Sequence, residues 1–140
     1  MSRIRSRDTK PEMLLRRELH ARGFRFRLHR RDLPGCPDLT LPGKSAVIFV
    51  HGCFWHGHDC PMFKLPATRA AFWSRKIGEN KARDTLVRAR LLELHWRVLT
   101  LWECAIRGKH RLPTQSVVDE IASWLTSDRS EATIRSVEIR

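Results

Sequence analysis

The sequence predicts an α/β fold, a sandwich of helices around one mixed sheet with the element order α-β-β-β-α-β-α. Three observations carry that expectation. Residues 46–50 and 97–102 are apolar stretches of strand length, the first unbroken and the second interrupted only by Arg97 and Thr100, the pattern of strands buried on both faces. Helical periodicity fills the interval between them, which makes the two strands parallel neighbours. Residues 24–28 alternate strictly between apolar and basic side chains, and a short strand at 38–41 pairs with 46–50 across the turn 42–45.

The first helix starts at Thr9-Lys10-Pro11-Glu12, where Thr9 caps, Pro11 fits the first turn and Glu12 stands where a capping box needs an acid. Met13, Leu14, Leu15 and Leu19 give it an apolar face, and Gly23 stops it. Residues 30–37 form a loop rich in charge, Pro and Gly. Residues 51–66 form a second loop, too long for an ordinary connection. From Thr68 the spacing of Ala70, Trp73 and Ile77 predicts a helix that Gly78 weakens or breaks, with a second helix over 80–94. Val117, Ile121, Trp124 and Leu125 mark a last helix, and residues 127–140 read as a polar, frayed tail. The whole, residues 1–140, is expected to be a single domain with a short basic arm at 1–8.

Charge narrows the function. The chain has 27 Lys and Arg against 15 Asp and Glu, net +12, a balance that favours polyanionic partners, nucleic acid above all. No apolar run approaches the ~18 residues of a membrane span, and the N-terminus lacks the apolar core of a signal peptide. A cytoplasmic protein is expected, so Cys36, Cys53, Cys60 and Cys104 read as thiols or metal ligands rather than disulfides.

The buried strand 46–50 runs directly into His51-Gly52-Cys53-Phe54-Trp55-His56-Gly57-His58-Asp59-Cys60. Cys53, His58 and Cys60 supply thiolate and imidazole ligands suited to zinc, with His56 competing for the place of His58 and His51 behind both. Cys104 is the better fourth ligand, because parallel strands bring their C-terminal ends out together, whereas Cys36 falls at the wrong end or side. Four protein ligands leave no open position, so such a zinc is structural.

Asp38 opens one strand opposite the end of its antiparallel neighbour, where its carboxylate and the carbonyl of Val50 make an oxygen face suited to Mg²⁺. Such ions serve phosphodiester cleavage. His56, if it is not a zinc ligand, is the proton-transfer candidate. Glu12 and Asp84 have plainer alternatives, a capping box and an ion pair with Arg88. Phe54 and Trp55, in a polar loop of a basic protein, are candidates for stacking on or wedging between bases. Trp73, Lys76 and Asn80 share one face of a continuous helix, though Trp73 also reads as part of a core stripe with Ala70 and Ile77.

Taken together, Arg-Asp-Thr-x-x-Glu (Arg7 to Glu12), Leu-Pro-Gly-x-Pro-Asp (Leu33 to Asp38), Val-Ile-Phe-x-His-Gly-Cys-Phe-Trp-His (Val47 to His56), Pro-Ala-Thr-Arg (Pro66 to Arg69), Phe-Trp-x-x-Lys-Ile-Gly (Phe72 to Gly78) and Trp-Glu-Cys (Trp102 to Cys104) resemble the very-short-patch repair endonucleases. The resemblance runs from about Ile4 to Trp124 and implies a restriction-endonuclease-like fold. It implies a bacterial, Mg²⁺-dependent DNA endonuclease that nicks the thymine-bearing strand of a T:G mismatch left by deamination of 5-methylcytosine. By motif, Asp38 and Val50 would hold two Mg²⁺ ions, and His56 would be the catalytic histidine, supported by Glu12, His51 and Asp84. Cys53, His58, Cys60 and Cys104 would hold one Zn²⁺. Phe54, Trp55 and Trp73 would wedge into the DNA, with Lys76 and Asn80 near the mispaired bases.

The partners so implied are double-stranded DNA with a T:G mismatch and other mismatch-repair proteins, the chain acting as a monomer in the bacterial cytoplasm, at the nucleoid when on DNA. The wider superfamily has an acid and a lysine where this chain has Phe49 and His51, a change that a backbone ligand at Val50 survives. Members usually carry a longer N-terminal arm, so either the chain is truncated or its clamp on DNA is weaker. Two other readings stand beside the first: a zinc-stabilised, non-catalytic module for distorted DNA, and a related nuclease with another target.

Overall fold

A computed structural model describes residues 9–136. Its strands β1 (Arg27–Leu28), β2 (Leu39–Leu41), β3 (Ala46–His51), β4 (Arg97–Trp102) and β5 (Glu131–Ile134) form one sheet in that order. β1, β2 and β3 pair antiparallel, while β3–β4 and β4–β5 pair parallel. Helix α1 (Lys10–Ala21) precedes the sheet strands, α2 (Ala70–Glu93) crosses from β3 to β4, and α3 (Thr114–Leu125) crosses from β4 to β5. The mixed α/β sheet expected from sequence is therefore present, and it is consistent with a restriction-endonuclease-like fold.

Side chains alternate across each strand, so every strand feeds two layers. Ala46 and Ile48 of β3 and Leu99 and Leu101 of β4 pack with Leu15 and Leu19 of α1 and with Val117, Ile121, Trp124 and Leu125 of α3. Val47, Phe49 and Val98 point the other way and pack with Leu91 of α2. The same alternation places His51 and Trp102, at the strand ends, on the α2 side. Thr9 caps α1 as expected, its Oγ1 accepting from the Glu12 N–H at 3.4 Å.

Three expectations need correction. Helix α2 is continuous through Gly78, because one glycine costs only about 1 kcal/mol in a helix and strong helix formers flank it over the 24 residues. The strand expected over 24–28 is reduced to Arg27–Leu28, although Phe24 and Phe26 still pack against the core. The polar segment after Ser127 is not a frayed tail: Glu131–Ile134 adds β5 beside β4, with Ile134 buried and Ala132 packed on the core. An edge strand pairs on one side only, so two inward side chains hold it and its composition stays polar. The basic arm 1–8 and the end of the expected tail, 137–140, lie outside the described residues.

Candidate active site and metal centre

A cleft of about 330 Å³ opens between the C-terminal part of β3 and the middle of α2, bordered by Asp38, Val50, His51, His56, Asp84 and Arg88. The antiparallel β2–β3 register brings Asp38 to the end of β3, where its Oδ2 accepts from the Val50 N–H at 2.6 Å. Glu12 reaches the same place from α1 and is 1% exposed. Its carboxylate is not spent on the capping box: it pairs with Arg16 and lies 2.9 Å from His29 Nε2, which is in turn 3.8 Å from Asp38 Oδ1. Burial pushes the Asp38 carboxyl up to about 8, opposed by the Val50 N–H and reinforced by the neighbouring Glu12. Two buried carboxyl groups forced together in this way fit a divalent cation, whose charge would let both ionise.

His56 faces the cleft from the other side. Its Nδ1 is 2.5 Å from Asp84 Oδ2, so Asp84 pairs with this ring rather than with Arg88, which meets Glu131 instead. A carboxylate on Nδ1 fixes the ring and leaves Nε2 for proton exchange. His51 stacks on His56 with centroids 3.8 Å apart and planes within 3°. Burial lowers the His51 imidazole to about 3, so it serves as a neutral slab that holds the His56 ring in place.

Behind this wall, Cys53, His58, Cys60 and Cys104 bring their ligand atoms within 4.8 Å of one another. His58 Nδ1 is 3.6 Å from Cys53 Sγ and 3.5 Å from Cys104 Sγ. Ligands at about 2.3 Å (S) and 2.0 Å (N) from a tetrahedral centre lie about 3.5 Å apart, so the spacing fits a metal of zinc size. Burial raises the Cys53 thiol, with Cys104 and Cys60 beside it, while burial and then Arg135 lower His58. A cation is what such a group of sulfurs and a neutral imidazole accommodates. His56 and His51 stay outside the cluster, and so does the exposed Cys36 at the cleft rim.

The comparisons with known proteins point one way. The family model described as DNA mismatch endonuclease Vsr matches residues 1–62. Over 134 residues the chain is 44% identical to the DNA mismatch endonuclease Vsr of Escherichia coli (strain K12), spanning 96% of this chain and 86% of that protein. The chain belongs to the Vsr family of DNA mismatch endonucleases. It is also 50% identical over 106 residues to the type II nicking enzyme V.XorIIP of Xanthomonas oryzae pv. oryzae, covering 76% of this chain and 78% of that one. V.NmeAIP, a type II nicking enzyme of Neisseria meningitidis serogroup A, is 38% identical, covering 78% of each. The chain is thus a nicking endonuclease whose substrate is DNA, of a nuclease family that works with a divalent metal.

In this Vsr-family chain the loop that holds Cys53, His58 and Cys60, with the start of α2, also carries the aromatic candidates. Phe54, Trp55 and Trp73 form a triangle of edge contacts with centroids 5.4 to 5.7 Å apart, and all three remain partly exposed. Asn80 donates through Nδ2 to the Trp55 carbonyl at 3.0 Å, so it ties the loop to α2. Lys76 lies on the same helix, one turn from Trp73 toward Asn80. The loop closes against α2 at Gly57, whose φ of +59° and nearness to Ile77 and Lys81 leave no room for a side chain.

Sequence reasoning missed several residues that build this Vsr site. Trp102 stacks on His58 at 3.9 Å and meets His51 edge-on at 5.2 Å, joining the Cys/His cluster to the cleft through one side chain. Glu103 accepts from the Cys53 N–H at 3.2 Å. Asp59 stands 3.6 Å from His58 Nε2 and is gripped by Arg135, beyond β5. A carboxylate behind the ring orients a ligating histidine. His29 joins Glu12 and Asp38 only through tertiary structure. For Trp102 the signal was available, since it ends the strand parallel to His51; for Asp59 and Arg135 it was not, because β5 itself was unread.

Proposed function

We propose that this chain is a Mg²⁺-dependent endonuclease that nicks the thymine-bearing strand at T:G mismatches produced by deamination of 5-methylcytosine, initiating very-short-patch repair. The observation that carries the reading is the convergence in one cleft of the Asp38 carboxylate, with the buried Glu12 carboxylate against it, and the His56–Asp84 pair. A molecule that only bound DNA would need neither.

In this reading Asp38, with the carbonyl of Val50, holds the cation. Mg²⁺ there would neutralise phosphate charge and activate the attacking water. His56 moves a proton at Nε2, Asp84 holds its tautomer, and His51 keeps the ring from turning. Arg83 and Arg88 at the cleft rim attract the phosphate backbone, as does the net charge of +12. Cys53, His58, Cys60 and Cys104 hold a structural Zn²⁺ that fixes the loop. Phe54, Trp55 and Trp73 wedge beside the mispair, where unstacking costs least, with Lys76 alongside. Asn80 serves that wedge by holding the Trp55 backbone. The unit acting on DNA is a single endonuclease domain.

The test is cleavage of matched duplexes carrying T:G, C:G or T:A at one position, in varied flanks, with Mg²⁺. Nicking of the T strand of T:G alone is expected. Equal cutting of all three would refute mismatch choice and favour a fixed-sequence target, a reading that similarity to type II nicking enzymes keeps in view.

A further inference from the structure

The Glu12–Asp38 pair has a third member with no place in the mechanism above. His29 follows β1 directly, in the left-handed region at φ 46°, and its N–H donates to the Asp38 carbonyl at 3.3 Å. That bond fixes its backbone to the start of β2, and the side chain, 12% exposed, turns inward between the two carboxylates. Nε2 lies 2.9 Å from Glu12 Oε2, within ion-pair reach, yet it is buried without a hydrogen bond of proper direction. Glu12, His29 and Asp38 each offer one ligand atom, and the three all lie within 4.8 Å of one another, His29 Nε2 being 3.8 Å from Asp38 Oδ1.

We propose that His29 is a protein ligand of the catalytic cation, making a site of two carboxylates and one imidazole that serves Mg²⁺ but binds Mn²⁺ more tightly. The inference rests on the reading of Asp38 as the metal-holding residue. Ligands in neighbouring positions about 2.1 Å from a cation of this size lie about 3 Å apart, close to the observed N–O separation. Arg16 binds the same Glu12 carboxylate, which weakens Glu12 as an anionic ligand and gives the imidazole more weight. Mg²⁺ prefers oxygen and gives up water reluctantly, whereas imidazole suits first-row transition metals. The competing explanation is a protonated His29 that bridges the carboxylates and keeps cations out. The two differ in sign: removing a ligand weakens metal binding, and removing a resident cation strengthens it.

The full-length protein is titrated with MnCl₂, and bound Mn²⁺ is followed by electron paramagnetic resonance, with pulsed detection of nitrogen coupling and MgCl₂ as competitor. Bound Mn²⁺ is expected to show coupling to an imidazole nitrogen. His29→Gln, and His29→Asn as a second variant, should lose that coupling and bind Mn²⁺ about tenfold or more weakly, with Mg²⁺ binding changed far less. No bound Mn²⁺, bound Mn²⁺ without nitrogen coupling, or a variant that binds Mn²⁺ as tightly or more tightly overturns the proposal. Asp38→Asn separates the two levels. If it loses Mn²⁺ while the His29 variants keep it, the inference fails and the Asp38 site stands; if it too keeps Mn²⁺, both fail.

Discussion

Asp38 is held in a conflict that the fold imposes: an N–H donor from Val50 favours its charge, while burial and Glu12 oppose it more strongly. Its folded value of about 8 lies above the unfolded value near 4, so between those limits the folded state holds the extra proton and stability falls as pH rises. His51 works the other way. Its folded value of about 3 lies below the unfolded value near 6.5, so its contribution grows with pH across that interval and then levels off. The two oppose each other below about pH 6.5, and only Asp38 acts from there to about 8. Thermal unfolding with no added Mg²⁺ or Mn²⁺ should show Tm falling from pH 6.5 to 8, and Asp38→Asn should flatten that slope. At the facing histidine, Asp84→Asn removes the charge that favours Nδ1–H and can turn an amide N–H toward Nδ1, which favours the other tautomer. Single-turnover nicking should drop by about 10²- to 10⁴-fold, with DNA binding within a few-fold of the parent. An unchanged rate would remove Asp84 from the machinery.

At the scale of elements, the loop 52–69 and helix α2 act as one unit, and two glycines show how. Gly78 lies within α2 with nothing within 4 Å of the position a Cβ would take, so it loosens the helix and makes no contact there. Gly78→Ala should raise stability by about 0.5–1 kcal/mol, read as a Tm higher by a few degrees. Gly57 is the reverse. A Cβ there would come within 2.6 Å of Ile77 and 2.9 Å of Lys81, on a backbone at φ +59°. Gly57→Ala should lower stability by about 1–3 kcal/mol by pushing the loop off the helix, and should slow nicking through the displaced His56. Only the packing tells a tolerated break from an obligatory close approach.

For the molecule as a whole, the cluster of Cys53, His58, Cys60 and Cys104 is the joint that ties β3, β4 and the chain beyond β5. Cys53 follows β3, Cys104 follows β4, and the Ser136 N–H donates to Cys104 Sγ at 3.3 Å. Stripping zinc should therefore cost more than a loop. About one equivalent of zinc per chain is expected by elemental analysis, resistant to mild chelation. Cys53→Ser should release it, lower Tm by ten degrees or more and abolish nicking together with mismatch binding. Folded, active protein without zinc would overturn the assignment.

The chain by itself determined what depends on near neighbours and on strand order. Cys53, His58 and Cys60 stand within eight positions, and the parallel pairing of two apolar strands was enough to select Cys104. Asp38 and Val50 were legible for the same reason, as an antiparallel turn joins them. The short edge strand β5 was not legible, because four polar-looking residues paired on one side carry little hydrophobic pattern. Spacing alone left His56 and His58 in competition, and only the family resemblance assigned them different roles. Their surroundings come from the tertiary structure: His56 meets Asp84, 28 positions away, and His58 meets Cys53, Cys104 and the Trp102 ring. His29 depended on a left-handed turn after β1 that no periodicity announces. Local chemistry is written in spacing. Which of several suitable side chains meets a distant partner is set by how α1, α2 and the sheet pack, and that only the tertiary structure decides.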